Sequence, residues 1–278
     1  MHSPIVSVLM PAYNSEKYIA DAIDSILNQT FQDFELIVID DCSKDKTWHI
    51  IQKYAQKDKR VVAIKNTKNL GISDNRNKAI SISKGKYLAP LDNDDWSYPD
   101  RFAKQVEFLD NNPDIGIVGG SVEVYNETFT KLLYKNTFYP DDKSLKKHIF
   151  RQLPFSHSSV MYRREIGLEN PYSNKLCTAE DYDFYFRAGI KHKFANLKDV
   201  LIKYRTSKTQ ESTTKNRRQS YLAMYIRLKA TVEYGYKLFK KDIALIVLKL
   251  ILIPTFPKRF RDQLFNMFWK GPNIQNKE

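Results

Sequence analysis

The feature that most narrows the fold is an alternation, through the first hundred residues, of short apolar runs suited to strands with stretches of helical spacing. Val6–Met10 is a short β-branched and aliphatic run closed by Pro11, and Tyr18–Leu27 then carries apolar residues at Ile19, Ala22, Ile23, Ile26 and Leu27. Phe34–Ile39 is apolar except for Glu35 and runs into Asp40-Asp41. Thr47–Tyr54 reads as helix, Val61–Ile64 as strand and Asn75–Ser83 as helix. Tyr87–Leu91 is a further buried strand running into Asp92-Asn93-Asp94-Asp95. Strands that alternate with helices form right-handed βαβ units, so a parallel sheet is expected. Ligands of such sheets bind beyond the carboxyl ends of the strands. Asp40, Asp41, Asp92, Asp94 and Asp95 then share one edge, which is the candidate site.

Further along, Ile115–Tyr125 and Ser158–Tyr162 are expected strands, with His157 opening the second. A helix should start at Glu180-Asp181 and run through Tyr185, Phe186 and Ala188 to Gly189 as its C-cap. From about Arg217 the chain becomes helical, aliphatic and rich in Lys and Arg. A boundary near 215 therefore separates an α/β unit over 1–215 from a basic helical segment over 216–278.

Forty-five Lys and Arg against 32 Asp and Glu leave a net charge of +13. That excess favours anionic partners: nucleic acid, a phosphorylated substrate or an acidic membrane surface. Two cysteines, Cys42 and Cys177, make no disulfide scaffold or zinc pattern and fit a reducing compartment. The N-terminal residues have no signal-peptide pattern. The apolar stretch Ile243–Ile253, interrupted by Lys249, is shorter than the roughly 17–25 residues of a spanning helix. The absence of GxGxxG, GxxxxGK[ST], GxSxG and HExxH argues against dinucleotide dehydrogenases, P-loop NTPases, serine esterases and zincins.

Several residues have a chemical and a structural reading side by side. Asp92 and Asp94 are spaced to reach one hard cation or a metal-bound diphosphate, while Asp and Asn also favour turns. Glu180-Asp181 either caps a helix together with Thr178 or supplies a general base, and one carboxylate can do both. His157 is read as a strand-opening histidine bonded to backbone rather than as a metal ligand. The guanidinium forks of Arg76 and Arg205 suit a diphosphate, or are surface charge. Tyr13 and Trp96 either stack on a base or sugar, or pack.

Taken in order, Val6–Asn14, Ser25–Phe31, Val38–Ser43, Leu70–Ser73, Arg76-Asn77, Gly85–Tyr87, Leu91–Asp95 and Glu180-Asp181 resemble the motifs of family 2 glycosyltransferases, over about residues 5–213. The resemblance implies a GT-A fold, Rossmann-like, with a mixed and mostly parallel sheet flanked by helices, followed here by a C-terminal helical extension. It implies a nucleotide-sugar donor, with UDP the usual carrier, and inversion at the anomeric carbon. By motif, Pro11, Tyr13 and Asp41 hold the nucleobase, Arg76 lies near the nucleotide, and Asp92 with Asp94 handles ribose, diphosphate and metal. Asp181 is then the general base. A nucleoside diphosphate leaves without protonation, so one base and a divalent cation, Mn²⁺ or Mg²⁺ at Asp94, suffice.

One departure stands out: Tyr204-Arg205-Thr206-Ser207 places Ser207 where related sequences carry a histidine that can bind metal, which weakens the expected metal affinity. The acceptor expected from the resemblance is a glycan or a lipid-linked glycan of surface polysaccharide synthesis. Lys240-Lys241, the apolar run to Ile253, and Phe260, Leu264, Met267 and Phe268 among basic residues suit an interfacial helix. The expected place is the cytoplasm, peripheral on the inner face of the membrane, without nucleic acid as partner. The competing readings are a sugar nucleotidyltransferase, for which the Gly-rich triphosphate loop is missing, and a basic nucleic-acid-binding protein, which only the net charge supports.

Overall fold

The computed structural model describes residues 3–176, 178–207, 216–255 and 275–276 of the 278-residue chain. The elements run β1 (Val6–Ala12), α1 (Ile19–Leu27), β2 (Phe34–Asp40), α2 (Thr47–Lys57), β3 (Val61–Lys65), α3 (Ile72–Ile82), β4 (Tyr87–Pro90), β5 (Trp96–Ser97), α4 (Arg101–Asn111), β6 (Ile115–Tyr125) and β7 (Leu132–Asn136). They continue with α5 (Asp142–His148), a 3₁₀ turn (His157–Ser159), β8 (Met161–Arg163), α6 (Arg164–Glu169), a second 3₁₀ turn (Asn174–Leu176), α7 (Glu180–Lys191) and β9 (Lys193–Arg205). Beyond these lie α8 (Asn216–Val232), α9 (Lys240–Thr255) and β10 (Gln275–Asn276).

The sheet order is β10-β7-β6-β8-β4-β1-β2-β3, with β9 beside β6 and β5 beside β9. β1 pairs in parallel with both β2 and β4, and β2 with β3, so the expected βαβ half is present. β8 runs antiparallel between β4 and β6, which makes the sheet mixed. Strands β1 and β2 are buried along their whole length. Their side chains alternate between two cores: Val8, Met10, Leu36 and Val38 face α1, α2 and α4, while Leu9, Ile37 and Ile39 face α3, α6 and α7. Burial on both faces is why these strands read as unbroken apolar runs. Glu35, the charge inside the apolar run of β2, accepts from Ser7 Oγ at 2.6 Å and from Lys84 N at 2.7 Å.

Four local expectations change. Pro11 does not close β1 but lies inside it, because the β1–β4 register ends at Leu9 and the side of Pro11 that lacks an N–H faces that vacated ladder. Ser158–Tyr162 is not one strand: Ser159 N closes a 3₁₀ turn on Ser156 O at 2.9 Å, and pairing begins only at Met161. His157 accordingly sits in a turn. Gly189 lies within α7, which is capped at His192; a Cβ at 189 would meet Tyr236 Oη at 2.4 Å, so close approach rather than capping accounts for the glycine. The Thr178 cap does not form, as set out below.

The C-terminal helices pack on the α/β unit. Ile226 and Ala230 of α8 enter the core shared with α7, Arg227 Nε donates to Phe150 O at 2.6 Å, and Met224 packs on Ile246 of α9. Among the described residues no helix is long and apolar enough to cross a membrane. The expected interfacial helix around Phe260–Phe268 lies outside the described residues.

Candidate functional site

Because β1, β2 and β4 are parallel neighbours, the loops leaving them meet at one edge. The loop after β1 is tied to the loop after β2: Asn14 N donates to Ser43 Oγ at 3.0 Å, Lys44 N to Asn14 Oδ1 at 2.9 Å and Ser15 N to Thr47 Oγ1 at 2.6 Å. Asn14 and Cys42 both adopt positive φ in these loops, at 48° and 63°, a conformation few side chains accept and one that clusters at functional sites. Tyr13 stands 45% exposed on this edge, open to a stacking partner. Pro11 contributes its carbonyl, which accepts from Asn93 Nδ2 at 2.9 Å and so joins the end of β1 to the Asp92–Asp94 triplet.

Asp41 is buried, and its carboxylate accepts from Leu70 N at 2.8 Å, Gly71 N at 2.9 Å and Asn66 Nδ2 at 2.9 Å. Burial by itself would raise this carboxyl, but the amide donors of Asn75, Leu70, Asn66 and Gly71 outweigh it and hold it below the usual range. Its ionised form thus fixes the turn that opens α3, where Gly71 takes φ 83°.

At the next strand end, Asp92 and Asp94 are partly exposed and Asp95 is fully buried. Asp95 Oδ1 accepts from Arg205 N at 3.1 Å while its Oδ2 has no protein partner; burial, then the charges of Asp94 and Asp92, hold this carboxyl well above the usual range. Arg205 is not surface charge. Its fork donates to Asp94 O at 2.8 Å, to Glu127 O and to Asp21 Oδ2 at 2.9 Å, and it lies over the Phe129 ring. It therefore shapes the triplet loop rather than standing open to a diphosphate. Trp96 packs edge-on against Tyr98 with Lys203 over its face, so it serves as packing.

Arg76, on α3, joins the two halves of the site. It is buried, its Nη2 pairs with Asp92 Oδ1 at 2.8 Å and its Nη1 with Glu180 Oε1 at 2.5 Å. Burial would depress its pKa, but Asp92 and Glu180 more than reverse that and keep it fully charged. Glu180 Oε2 accepts from Thr178 N at 2.9 Å. Thr178 itself takes φ 86° with an unpartnered hydroxyl, and α7 has Ala179 as N-cap without a side-chain bond. The Thr178–Asp181 cap is thus replaced by Glu180 reaching back to Thr178.

Asp181, in the first turn of α7, keeps part of its surface open. Crowding by protein, then the like charge of Glu180, pushes its carboxyl up to about 7 against the pull of Arg76. A carboxyl poised near neutral pH is matched to proton abstraction. Beneath it, His157 is bonded to side chains rather than backbone: its Nδ1 lies 2.8 Å from Tyr185 Oη and its Nε2 3.2 Å from Tyr172 Oη. Burial holds His157 well below its ordinary pKa, so it is a neutral support. Tyr172 also lies under the Arg76 guanidinium. Sequence reading missed Glu180 as the partner of Arg76, and it missed Asn66, Asn75 and Tyr172 altogether. The Glu180-Asp181 doublet was a signal for the first; the others have none.

Two partly open carboxylates of hard oxygen character fit Mg²⁺ or Mn²⁺, which use one or two carboxylates plus substrate phosphate oxygens. Among the described residues no group of three His, Cys, Asp or Glu forms a cage by itself. Asp94 would be the residue that holds such an ion.

Comparison with known proteins bears on the family and the fold. An uncharacterized glycosyltransferase of Methanocaldococcus jannaschii is 36% identical over 271 residues, covering 92% of this chain and 92% of that protein. TuaG of Bacillus subtilis, whose name assigns it to teichuronic acid biosynthesis, is 42% identical over 106 residues, 38% of this chain and 42% of that protein. Among solved structures, S. aureus TarS in complex with UDP-GlcNAc has a TM-score of 0.69 at 22% identity, covering 88% of this chain and 72% of that one. The mannosyltransferase PcManGT from Pyrobaculum calidifontis, in complex with GDP-Man and Mn²⁺, has a TM-score of 0.62 at 16% identity, over 95% and 85%. Residues 7–168 match the family model described as glycosyl transferase family 2. By that match and by the near full-length archaeal relative, the chain belongs to glycosyl transferase family 2 and is a glycosyltransferase with the GT-A fold.

Proposed function

We propose that the protein transfers one sugar, with inversion, from a UDP-sugar to a hydroxyl of a glycan or lipid-linked acceptor in surface polysaccharide synthesis. The observation that carries this reading is the ionic chain Asp92–Arg76–Glu180 ending beside Asp181, a carboxyl pushed up to about 7 on the ligand edge of the sheet. The bound UDP-GlcNAc of TarS and the biosynthetic assignment of TuaG support the donor and the pathway class.

In this mechanism Tyr13 stacks on the nucleobase, Asp41 accepts its N–H, and the Pro11 carbonyl holds Asn93 so that the triplet loop faces the diphosphate. Arg76 fixes Asp92 toward the ribose and diphosphate. Asp94 would hold a divalent cation, Mn²⁺ or Mg²⁺, whose chemistry when bound is to neutralise charge on the leaving diphosphate. Asp181 takes the acceptor hydroxyl proton as that oxygen attacks the anomeric carbon from the face opposite the departing UDP. Residues 1–215 form the catalytic unit, and 216–278 form a C-terminal segment that brings it to the inner face of the cytoplasmic membrane.

The test is calorimetric titration with UDP, dTDP and GDP, each with and without Mn²⁺. UDP binding that is strengthened by Mn²⁺ and lost in Asp41→Ala is the expected result; binding of another nucleotide alone, or unchanged binding in Asp41→Ala, overturns the donor assignment. Wild-type transfer rate in Asp181→Asn overturns the base assignment.

A further inference from the structure

Away from the catalytic edge, α5 and the start of α9 enclose an open pocket of about 540 Å³ lined by Lys147, His148, Arg151, Phe239, Lys240 and Lys241. Its charge is one-sided. The carboxylate at this place, Asp242, is buried and committed: Oδ1 pairs with Arg151 Nε at 2.5 Å and Oδ2 accepts from Phe239 N at 2.9 Å. Lys147, Lys240 and Lys241 are exposed. The positive end of a 16-residue helix opens into the same place, since α9 begins at Lys240. A concave site of this size, apolar-walled and rimmed by exposed lysines, suits a phosphate monoester or diester on an apolar carrier.

The surroundings say which carrier. Phe239, just before α9, and Ile243 and Val247 within it follow at four-residue spacing and are 51%, 49% and 49% exposed. On α8, Tyr221, Tyr225, Leu228 and Val232 form a second exposed stripe at helical spacing, the last of them 84% exposed. Each stripe adjoins the Met224–Ile246 contact that joins the two helices. Exposed apolar and aromatic stripes beside a lysine-rimmed pocket are the two components of interfacial binding: apolar side chains for the acyl boundary and cations for the headgroups.

We propose that this pocket binds the phosphate of an anionic phospholipid, and that it seats the α8–α9 face on an anionic bilayer. The inference deepens the membrane reading above and rests on it, but it moves the charged contact onto Lys147 of the catalytic unit as well as the C-terminal segment. α5 also lies against α7, because Tyr182, next to Asp181, donates to the carbonyl of Ile149 just beyond α5. A protein seated this way holds its base helix close to the lipid surface.

The test uses the full chain, since α8 contributes core residues and truncation would expose them. Binding to sedimented vesicles of phosphatidylcholine is compared with binding to vesicles containing 30% (about one lipid in three) phosphatidylglycerol. Wild type should bind the anionic vesicles only. The Lys147→Gln/Lys241→Gln variant should lose about 25-fold in partition coefficient, roughly fivefold for each juxtamembrane lysine. Lys53→Gln/Lys57→Gln on α2 removes the same net charge from exposed positions elsewhere and should bind as wild type. Ile243→Ser/Val247→Ser should also lose binding, and thermal melts confirm that each variant is folded. Wild type that ignores anionic vesicles overturns the membrane reading and the pocket together. Wild type that binds while the Lys147/Lys241 variant binds equally well, or while both lysine pairs lose equally, overturns the pocket alone. Inorganic phosphate that binds without any vesicle association shows a soluble phosphate site and refutes the phospholipid.

Discussion

Replacing Glu180 by Gln isolates what sets the protonation of Asp181. Adjacent carboxylates about 6 Å apart, at an effective dielectric of about 20, repel by about 2.8 kcal/mol, or about two pKa units. The Gln side chain keeps one acceptor for Arg76 and removes the charge. Arg76, released from one of its two carboxylates, then acts more strongly on Asp181 in the same direction. The Asp181 midpoint should therefore fall from about 7 by at least about two units. Carboxyl ¹³C NMR of aspartate-labelled protein reads this directly, with Asp181→Asn identifying the resonance, and it needs neither donor nor acceptor. The kcat/KM profile should shift in parallel, its acid limb moving to lower pH.

The sign also fixes a stability test. Because the folded pKa of Asp181 lies above the unfolded value of 3.8, its contribution is complete below pH 3.8 and is lost as pH rises through about 7. Asp181→Asn should accordingly gain on wild type across that window. A wild-type midpoint near 4, or one that stays put in Glu180→Gln, refutes the electrostatic argument.

The other predictions concern the supports of the site. Asp181→Asn should lower transfer by about 10²–10⁴-fold while leaving UDP affinity within about twofold, checked by kinetics and calorimetry on the same preparation. Asp41→Ala leaves the Leu70 and Gly71 N–H groups and the Asn66 amide without their acceptor, and should cost about 1–3 kcal/mol in urea unfolding as well as nucleotide affinity. Gly189→Ala should cost about 1–3 kcal/mol by displacing Tyr236 from its bond to Phe186 O, with a smaller loss when Tyr236→Phe is added, which a double-mutant cycle measures. His157 has its folded pKa below the unfolded one, so its contribution is present above pH 6.5 and is lost as pH falls; the melting difference between wild type and His157→Phe should narrow in acid.

The strand-helix alternation was readable because β1 and β2 are buried on both faces, so nearly every residue had to be apolar and the acidic residues marked where the strands ended. Parallel pairing then carried Asp41 and Asp92 to one edge without any three-dimensional information. Pro11 misled for a local reason: a proline stops a strand only when its missing N–H is needed, and here that side of the ladder was already vacant. Gly189 misled because a glycine before a helix end has two uses, and the presence of Tyr236 at its Cα, 47 residues later in the chain, is not written nearby.

What the chain could not disclose was the wiring between distant elements. Arg76 looks like one polar residue on a polar helix, yet it pairs with Glu180, 104 residues away, and with Asp92, 16 residues away. Its burial is decided by Tyr172 and the packing of α7, none of which has a pattern in the vicinity of residue 76. Arg205 repeats the lesson through its pair with Asp21, 184 residues apart. A buried guanidinium is tolerable only when several acceptors meet it, so each of these arginines implies a convergence of chain segments. For Arg76 the convergence has a chemical consequence: the same charge that pairs with Asp92, the residue proposed to meet the donor, also restrains the pKa of Asp181. Changing Arg76 to Met should therefore disturb donor affinity and the pH profile together, whereas a site built from independent halves would let one move without the other.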